Sequence, residues 1–399
     1  MTGMQRLFTA GYRVFFLAAG LFAVFAMIVW ESWLAIHAAG GMVSDMPFSM
    51  APHLWHAHEL IFGYAAAAIA GFLMTAAPSW VGGENAKTKF FVLAAGIWLA
   101  GRLAIWFSAS LPSLLVMMID LAFVPVIGTK VLLLLLKRPK PRQMIFLAVL
   151  VIFFSTNLMV HLEWVGATGD TANGGLRGGL LTLTALIMIL GGRVTPAFTR
   201  NAMRQTGRET GLPEDTMPLA VVSIVGALIL PLMATAGLQG AVFGIVALLA
   251  GLAGLVRLSR WRTRWTFSQP ILWSLHLGYG FNAAGLVALG LSALDRGSEV
   301  AALHILGVGA VGSMTLAVMS RAALGHSGRP LIAPWPVALG YAALPLAALA
   351  RFAGSEWPEL YYWGVLTSGA LWILAFALYV VELWPVFTGP RLSKSKESV

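Results

Sequence analysis

Apolar segments of 18 or more residues recur along the whole chain, and they restrict its fold more than any other feature. A run of this length matches a helix that crosses a bilayer, because about 20 residues span the hydrocarbon core. We find twelve such runs, at 13–36, 54–79, 89–110, 113–136, 144–164, 177–198, 217–235, 238–257, 269–293, 299–321, 331–353 and 359–384. They predict an all-α integral membrane protein of about twelve transmembrane helices. Residues 1–390 would form one polytopic domain, followed by a polar cytoplasmic tail at 391–399.

Lysine and arginine are distributed unequally between alternate loops. With the N-terminus placed in the cytoplasm, 20 of them fall on the cytoplasmic side and three on the opposite side. The positive-inside rule then predicts that both termini lie in the cytoplasm, which agrees with an even number of spans. The formal net charge of +10 is explained by this topology, so it indicates the lipid bilayer as a partner and no nucleic acid.

A weak internal repeat favours a subdivision of the bundle. Thr75, Thr195 and Thr315 are 120 residues apart, and they lie in the second, sixth and tenth predicted helices. Three units of four helices would form a bundle with pseudo-threefold symmetry. Coincidence is the alternative, because glycine and threonine are frequent at membrane helix interfaces.

Histidines are concentrated at one predicted end of the bundle. Histidine and glutamate are costly inside a membrane and mark functional sites there, and histidine is the commonest metal ligand. The outer end of helix two carries a cluster to which helices five and ten add one histidine each: His53, His56, His58, Glu59, His161 and His304. The chain has no cysteine, which excludes iron–sulfur clusters and thiolate-bound haem or copper. The pattern predicts a metal or haem site at this end.

Helical spacing divides the cluster on helix two. Residues three apart share a face, so His53, His56 and Glu59 form one stripe while His58 points elsewhere. One helix could therefore serve a His/His/Glu metal on one side and a haem on the other. This resembles haem–copper oxidases, in which one helix carries two histidines two residues apart. The alternative for His53 is a solvent-facing residue in the preceding loop.

Four further polar residues allow two interpretations each. Arg102 falls at the depth of Asp120, so the two form a buried ion pair or Arg102 meets a haem propionate. His276 lies in the inner half of helix nine, where it serves a second cofactor or a quinol, or is a hydrogen-bonded core residue. His326 lies in a cytoplasmic loop, where it contacts a cofactor or is simply part of a Gly/Pro turn. Arg193 either binds a cofactor or extends to lipid phosphate.

Several motifs resemble the NnrS family over essentially the whole chain. They are Trp55-His56-Ala57-His58-Glu59, the segment from Gly191 to Asn201, His276 to Tyr279, His304 with Gly307 and Gly309, and Gly325 to Pro330. The resemblance implies a multi-pass haem- and copper-containing protein of the bacterial inner (cytoplasmic) membrane. It also implies a role in nitric oxide metabolism, through denitrification and relief of nitrosative stress. The family's histidines would be His56, His58, His161, His276, His304 and His326.

These observations lead to a quinol-linked nitric oxide reductase that joins two NO into N2O, with one or two haems b and copper or another non-haem metal. His58 and His304 would ligate haem. Glu59 and His56 would be catalytic and, with His161, would hold the second metal. His276, His326, Arg102 and Arg193 are further candidates for cofactor contacts. A non-catalytic protein that binds NO, haem or copper and protects metal centres is one alternative, and a metal or small-molecule transporter is another.

Overall fold

The computed structural model describes residues 1–392, so the predicted tail from 393 to 399 lies outside the described part of the chain. Within residues 1–392 the long elements are all helices, and no strand occurs. They are α1 Gly11–Ala38, α2 Pro52–Val81, α3 Thr88–Trp106, α4 Ser113–Lys137, α5 Pro141–Trp164, α6 Ala172–Gln205, α7 Met217–Thr235, α8 Ala241–Ser259, α9 Pro270–Ser292, α10 Glu299–His326, α11 Trp335–Glu356 and α12 Pro358–Thr388.

Eleven of these helices are long and apolar enough to cross a membrane, and this confirms the all-α membrane class. The remaining one is α9, a helix of 23 residues. His276 and Asn282, both buried, lower its mean hydropathy. The number of spans and their orientation therefore remain predictions from the sequence.

Two helices change their winding where they carry a histidine of the predicted site. In α2 the α-helical part ends at His58 and a π-helical segment runs from Glu59 to Ala65. In α10 the α-helical part ends at His304, and a π-helical segment runs from Ile305 to Gly312. Segments of π-helix inside α-helices are rare and occur often at functional sites.

The helices α2, α6 and α10 contact one another in the middle of the bundle. Around them, α4 packs on α5, α8 on α9 and α12 on α1, so the last helix of each predicted unit contacts the first helix of the next. Glycines permit the close approaches: a Cβ on Gly179 of α6 would lie 2.6 Å from the Phe62 ring of α2. The division into three four-helix units stays a prediction from the sequence, because contacts between consecutive helices occur in any helical bundle.

The first and last helices are held together at one end by Arg13. Its guanidinium is buried, and Nη1 donates to the carbonyl oxygens of Val386, Phe387 and Gly389 at 3.2, 2.6 and 2.8 Å. These carbonyls belong to the end of α12, where the helix itself supplies no N–H donors. Arg13 therefore closes the ring of helices.

Candidate metal centre

A cluster of polar side chains is buried between α2, α3, α4 and α5. No member is more than 6% exposed, although all lie in apolar helices. The cluster consists of His58 and Glu59 from α2, Arg102 from α3, Asp120 from α4, and Asn157 and His161 from α5.

Asp120 is the centre of this cluster. Its Oδ2 accepts a hydrogen bond from Asn157 Nδ2 at 2.8 Å and lies 2.9 Å from His161 Nε2 and 3.5 Å from His58 Nε2. Its Oδ1 accepts from Arg102, which also donates to Glu59. Four helices are thus joined through one carboxylate.

His58 lies between two oxygen acceptors. Its Nδ1 is 2.9 Å from Glu59 Oε1, and its Nε2 is 3.0 Å from Asn157 Oδ1. A neutral imidazole has only one N–H, so one of these contacts needs an additional cation or proton. With His58 neutral, the single guanidinium of Arg102 faces the two carboxylates of Glu59 and Asp120. A bound cation, or a proton on His58, balances the second carboxylate.

Three donors of the cluster are arranged as a metal site would require. One ligand atom from each of His58, Asp120 and His161 lies within 4.8 Å of the other two, and all three residues are buried. Two imidazoles and one carboxylate form a set that binds non-haem iron, copper or zinc. The residues therefore fit a non-haem metal, and Asn157 and Arg102 orient the carboxylate as outer partners commonly do.

A second pair of histidines, His56 and His304, lies on α2 and α10. The His56 ring stacks on Trp30 with 4.6 Å between centroids, and its Nδ1 is buried without a hydrogen-bond partner. His304 Nδ1 lies 2.7 Å from the Val300 carbonyl oxygen, to which it donates. That tautomer leaves Nε2 of His304 as a free acceptor, the usual state of a metal- or haem-binding histidine.

The structure groups the residues of helix two differently from the spacing argument. His58, not His56, shares a cluster with Glu59 and His161. The Glu59 carboxylate is held there by Arg102 of α3, which also binds Asp120, so contacts with neighbouring helices decide its partner. His53, the other member of the expected stripe, is exposed.

The depth argument for Arg102 and Asp120 is confirmed, since the two form a buried ion pair. Asn157 was missed as a member of the site. Its signal is present in the sequence, because Asn157 and His161 are four residues apart and therefore share a face of α5.

The other predicted residues lie away from the cluster. His276 Nε2 is 2.9 Å from Thr199 Oγ1 and its Nδ1 is 2.9 Å from Thr263 Oγ1, so both ring nitrogens have hydroxyl partners. Thr199, the partner of His276, lies 20 residues after Gly179 in α6. Gly179 packs against Phe62, which is one turn from His58 in α2. His276 therefore lies about 30 Å along α6 from the metal cluster. The structure thus gives His276 the contacts of a hydrogen-bonded core residue.

Two more candidates have contacts of other kinds. The His326 ring stacks on Tyr12 with 5.7 Å between centroids, which joins the end of α10 to the start of α1. Arg193 is exposed on α6, as expected for a side chain that extends toward lipid phosphate.

Comparison with protein families gives one match. The family described as NnrS protein matches residues 6–391, which include every residue of both histidine groups. Comparison with curated proteins gives no match.

Proposed function

The chain belongs to the NnrS family, whose role lies in the response to nitric oxide, and on that premise we propose that it is a membrane haem and metal protein that removes NO. The observation that carries this proposal is the buried set of His58, Asp120 and His161. We place the protein in the bacterial inner membrane with this set toward the periplasm, in keeping with the distribution of basic residues.

The two histidine groups suit two different centres. His58, Asp120 and His161 would hold copper or another non-haem metal, and His56 and His304 would hold a haem b. Bound there, these groups would supply a pair of redox centres at which NO gains electrons. This division replaces the one suggested by spacing, in which His58 paired with His304.

Residues of the chain itself prepare the site. Arg102 holds both Glu59 and Asp120, so it fixes the positions of two buried carboxylates. Asn157 holds the Asp120 oxygen that faces His161. Glu59 Oε1 lies 2.9 Å from His58 Nδ1 and is the second carboxylate beside the donor set.

The reaction that we propose is 2 NO + 2 H⁺ + 2 e⁻ → N2O + H2O. A membrane quinol would supply the electrons and Glu59 would pass protons to the site. The uncharged, apolar substrate reaches a buried centre through the bilayer more easily than an ion would, because ions are costly in hydrocarbon.

The test compares metal content, haem content and N2O formation in purified wild-type protein, His161→Ala and His53→Ala. His53 is an exposed histidine of the same region and serves as the matched control. We expect His161→Ala to lose the non-haem metal and N2O formation from NO and a quinol, while His53→Ala retains both. A protein that contains no bound metal after growth with ample copper, iron and haem would contradict the proposal.

A protein that binds NO, haem or copper without turnover is the second candidate. The burial of the cluster favours this function, because its six side chains are at most 6% exposed and leave little room for substrate exchange. A stable nitrosyl spectrum with no N2O in the same experiment would establish this function instead of the reductase.

A further inference from the structure

The three central helices, with Phe16 of α1, line a cavity of about 60 Å³. Helix α2 contributes Ala65 and Ala68, α6 contributes Ile187 and Gly191, and α10 contributes Val311 and Met314. A single water molecule needs about 10–15 Å³ on this measure, so the cavity has room for several small molecules. It lies where the three predicted repeat units meet.

The cavity offers almost nothing to water. The only hydroxyl among its lining side chains is that of Thr315, and this group already donates to the Val311 carbonyl oxygen at 2.6 Å and contacts the Tyr64 hydroxyl. A buried water needs two to four polar partners, and apolar cavities that lack them stay dry and take up apolar guests.

The cavity is open on part of its surface. Most of its lining is buried, but five lining residues are half-buried: Phe72, Leu186, Leu190, Thr315 and Val318. An apolar molecule dissolved in the bilayer can therefore enter between the helices. A space of about 60 Å³ with almost no polar lining suits a guest that is small, uncharged and apolar.

The cavity is placed to serve both histidine groups. Ala65 follows His58 by seven residues and Val311 follows His304 by seven residues, which is at most about 10 Å along each helix. Each of these intervals is one of the two π-helical segments. The same cavity thus adjoins the inner side of both candidate centres.

We propose that this central cavity is a binding site for a small apolar gas, in which NO collects before it reaches the metal centres. The identity of the gas rests on the proposed function, whereas the cavity as a gas site does not. Xenon is a suitable probe, because it needs only an apolar space of this size and no metal.

The first experiment is a crystal structure of the whole protein under xenon pressure. Ala68→Leu fills the cavity, and Ala100→Leu, which adds the same atoms on the exposed face of α3, is its matched control. We expect xenon between α2, α6 and α10 in the wild type and in Ala100→Leu, and loss of it in Ala68→Leu. Ordered water or an acyl chain in the wild-type cavity, or xenon unchanged in Ala68→Leu, would overturn the proposal.

A milder variant covers the case in which Ala68→Leu does not fold. Ile187→Val enlarges the cavity by one methylene group and costs about 0.5–1.5 kcal/mol, so the protein should survive it. Xenon occupancy should rise in this variant, and an unchanged occupancy would contradict the assignment of the site.

The second experiment follows NO rebinding after flash photolysis of the nitrosyl protein. Filling the cavity with Ala68→Leu should slow NO entry several-fold and leave the equilibrium affinity for NO unchanged, whereas Ala100→Leu should change neither. If xenon binds but the purified protein forms no nitrosyl, the proposed function fails and the gas site stands. If a nitrosyl forms at the same rate in both variants, the cavity is not on the path of NO.

Discussion

Arg102 is the most consequential single residue of the buried cluster, and Arg102→Met tests that view. The guanidinium is 6% exposed, donates to Glu59 and Asp120, and lies 5.8 Å from the Phe22 ring centroid. Methionine preserves much of the apolar volume and removes the guanidinium that binds both carboxylates, so these are left buried without their shared partner. Breaking a buried ion pair in this way costs about 3–5 kcal/mol, which is near the upper end for point substitutions.

A double-mutant cycle separates the charge effect from lost packing. Asp120→Asn removes one carboxylate, and the double variant Arg102→Met/Asp120→Asn has the same net charge as the wild type. We therefore expect the double variant to be more stable than the sum of the single effects predicts, by about 1–3 kcal/mol. The measurement is the free energy of unfolding of the metal-free protein in detergent, by chemical denaturation.

Arg204→Met is the matched control, because Arg204 is an exposed arginine on α6. Its effect should stay within about 0.5 kcal/mol. The reasoning is refuted if Arg102→Met destabilises no more than this control, or if the effects of Arg102→Met and Asp120→Asn are additive.

Three further substitutions test other parts of the structure. Gly179→Ala should destabilise the protein by about 1–3 kcal/mol, since the added Cβ would lie 2.6 Å from Phe62, and a thermal shift assay on Ala and Ser variants would show it. Thr199→Val should lower the free energy of unfolding by about 1–3 kcal/mol, because it leaves His276 Nε2 without its partner. Elemental analysis should show an unchanged metal content, because the metal cluster is remote. Gly328→Ala should destabilise the end of α10, because Gly328 has φ +77° and the added Cβ would lie 2.2 Å from the Leu392 carbonyl oxygen. Limited proteolysis tests this, and equal cleavage of the variant and the wild type at this end would contradict it.

Much of the fold could be predicted because each helix had to be apolar over the thickness of the bilayer. The prediction was poorest where a helix continues beyond that thickness. The apolar run 177–198 belongs to a helix that extends from Ala172 to Gln205, and hydropathy does not detect its polar end. The run 269–293, by contrast, matches α9 closely, although buried polar residues lower the mean hydropathy of that helix.

The site could be predicted in its membership and not in its grouping. Helices that cross the same bilayer place residues of equal depth side by side. This argument grouped the histidines and also predicted the Arg102–Asp120 pair. The separation of His56 from His58 followed from their two-residue spacing. The placement of Glu59 did not, because its carboxylate joins the adjacent His58 and Arg102 instead of the His56 stripe. Which neighbouring helix supplies a partner to a side chain depends on tertiary packing, which spacing within one helix does not give.

The contact between Arg13 and the end of α12 sets an order for biogenesis. Arg13 leaves the ribosome long before its carbonyl partners at Val386, Phe387 and Gly389, which are made more than 370 residues later. Until then α1 also lacks α12, one of its principal neighbours, so its apolar surface must be covered by lipid or by an insertion factor. A nascent chain that stalls before α12 would therefore present both an open seam and an unpaired arginine, two features that a membrane quality-control protease can recognise.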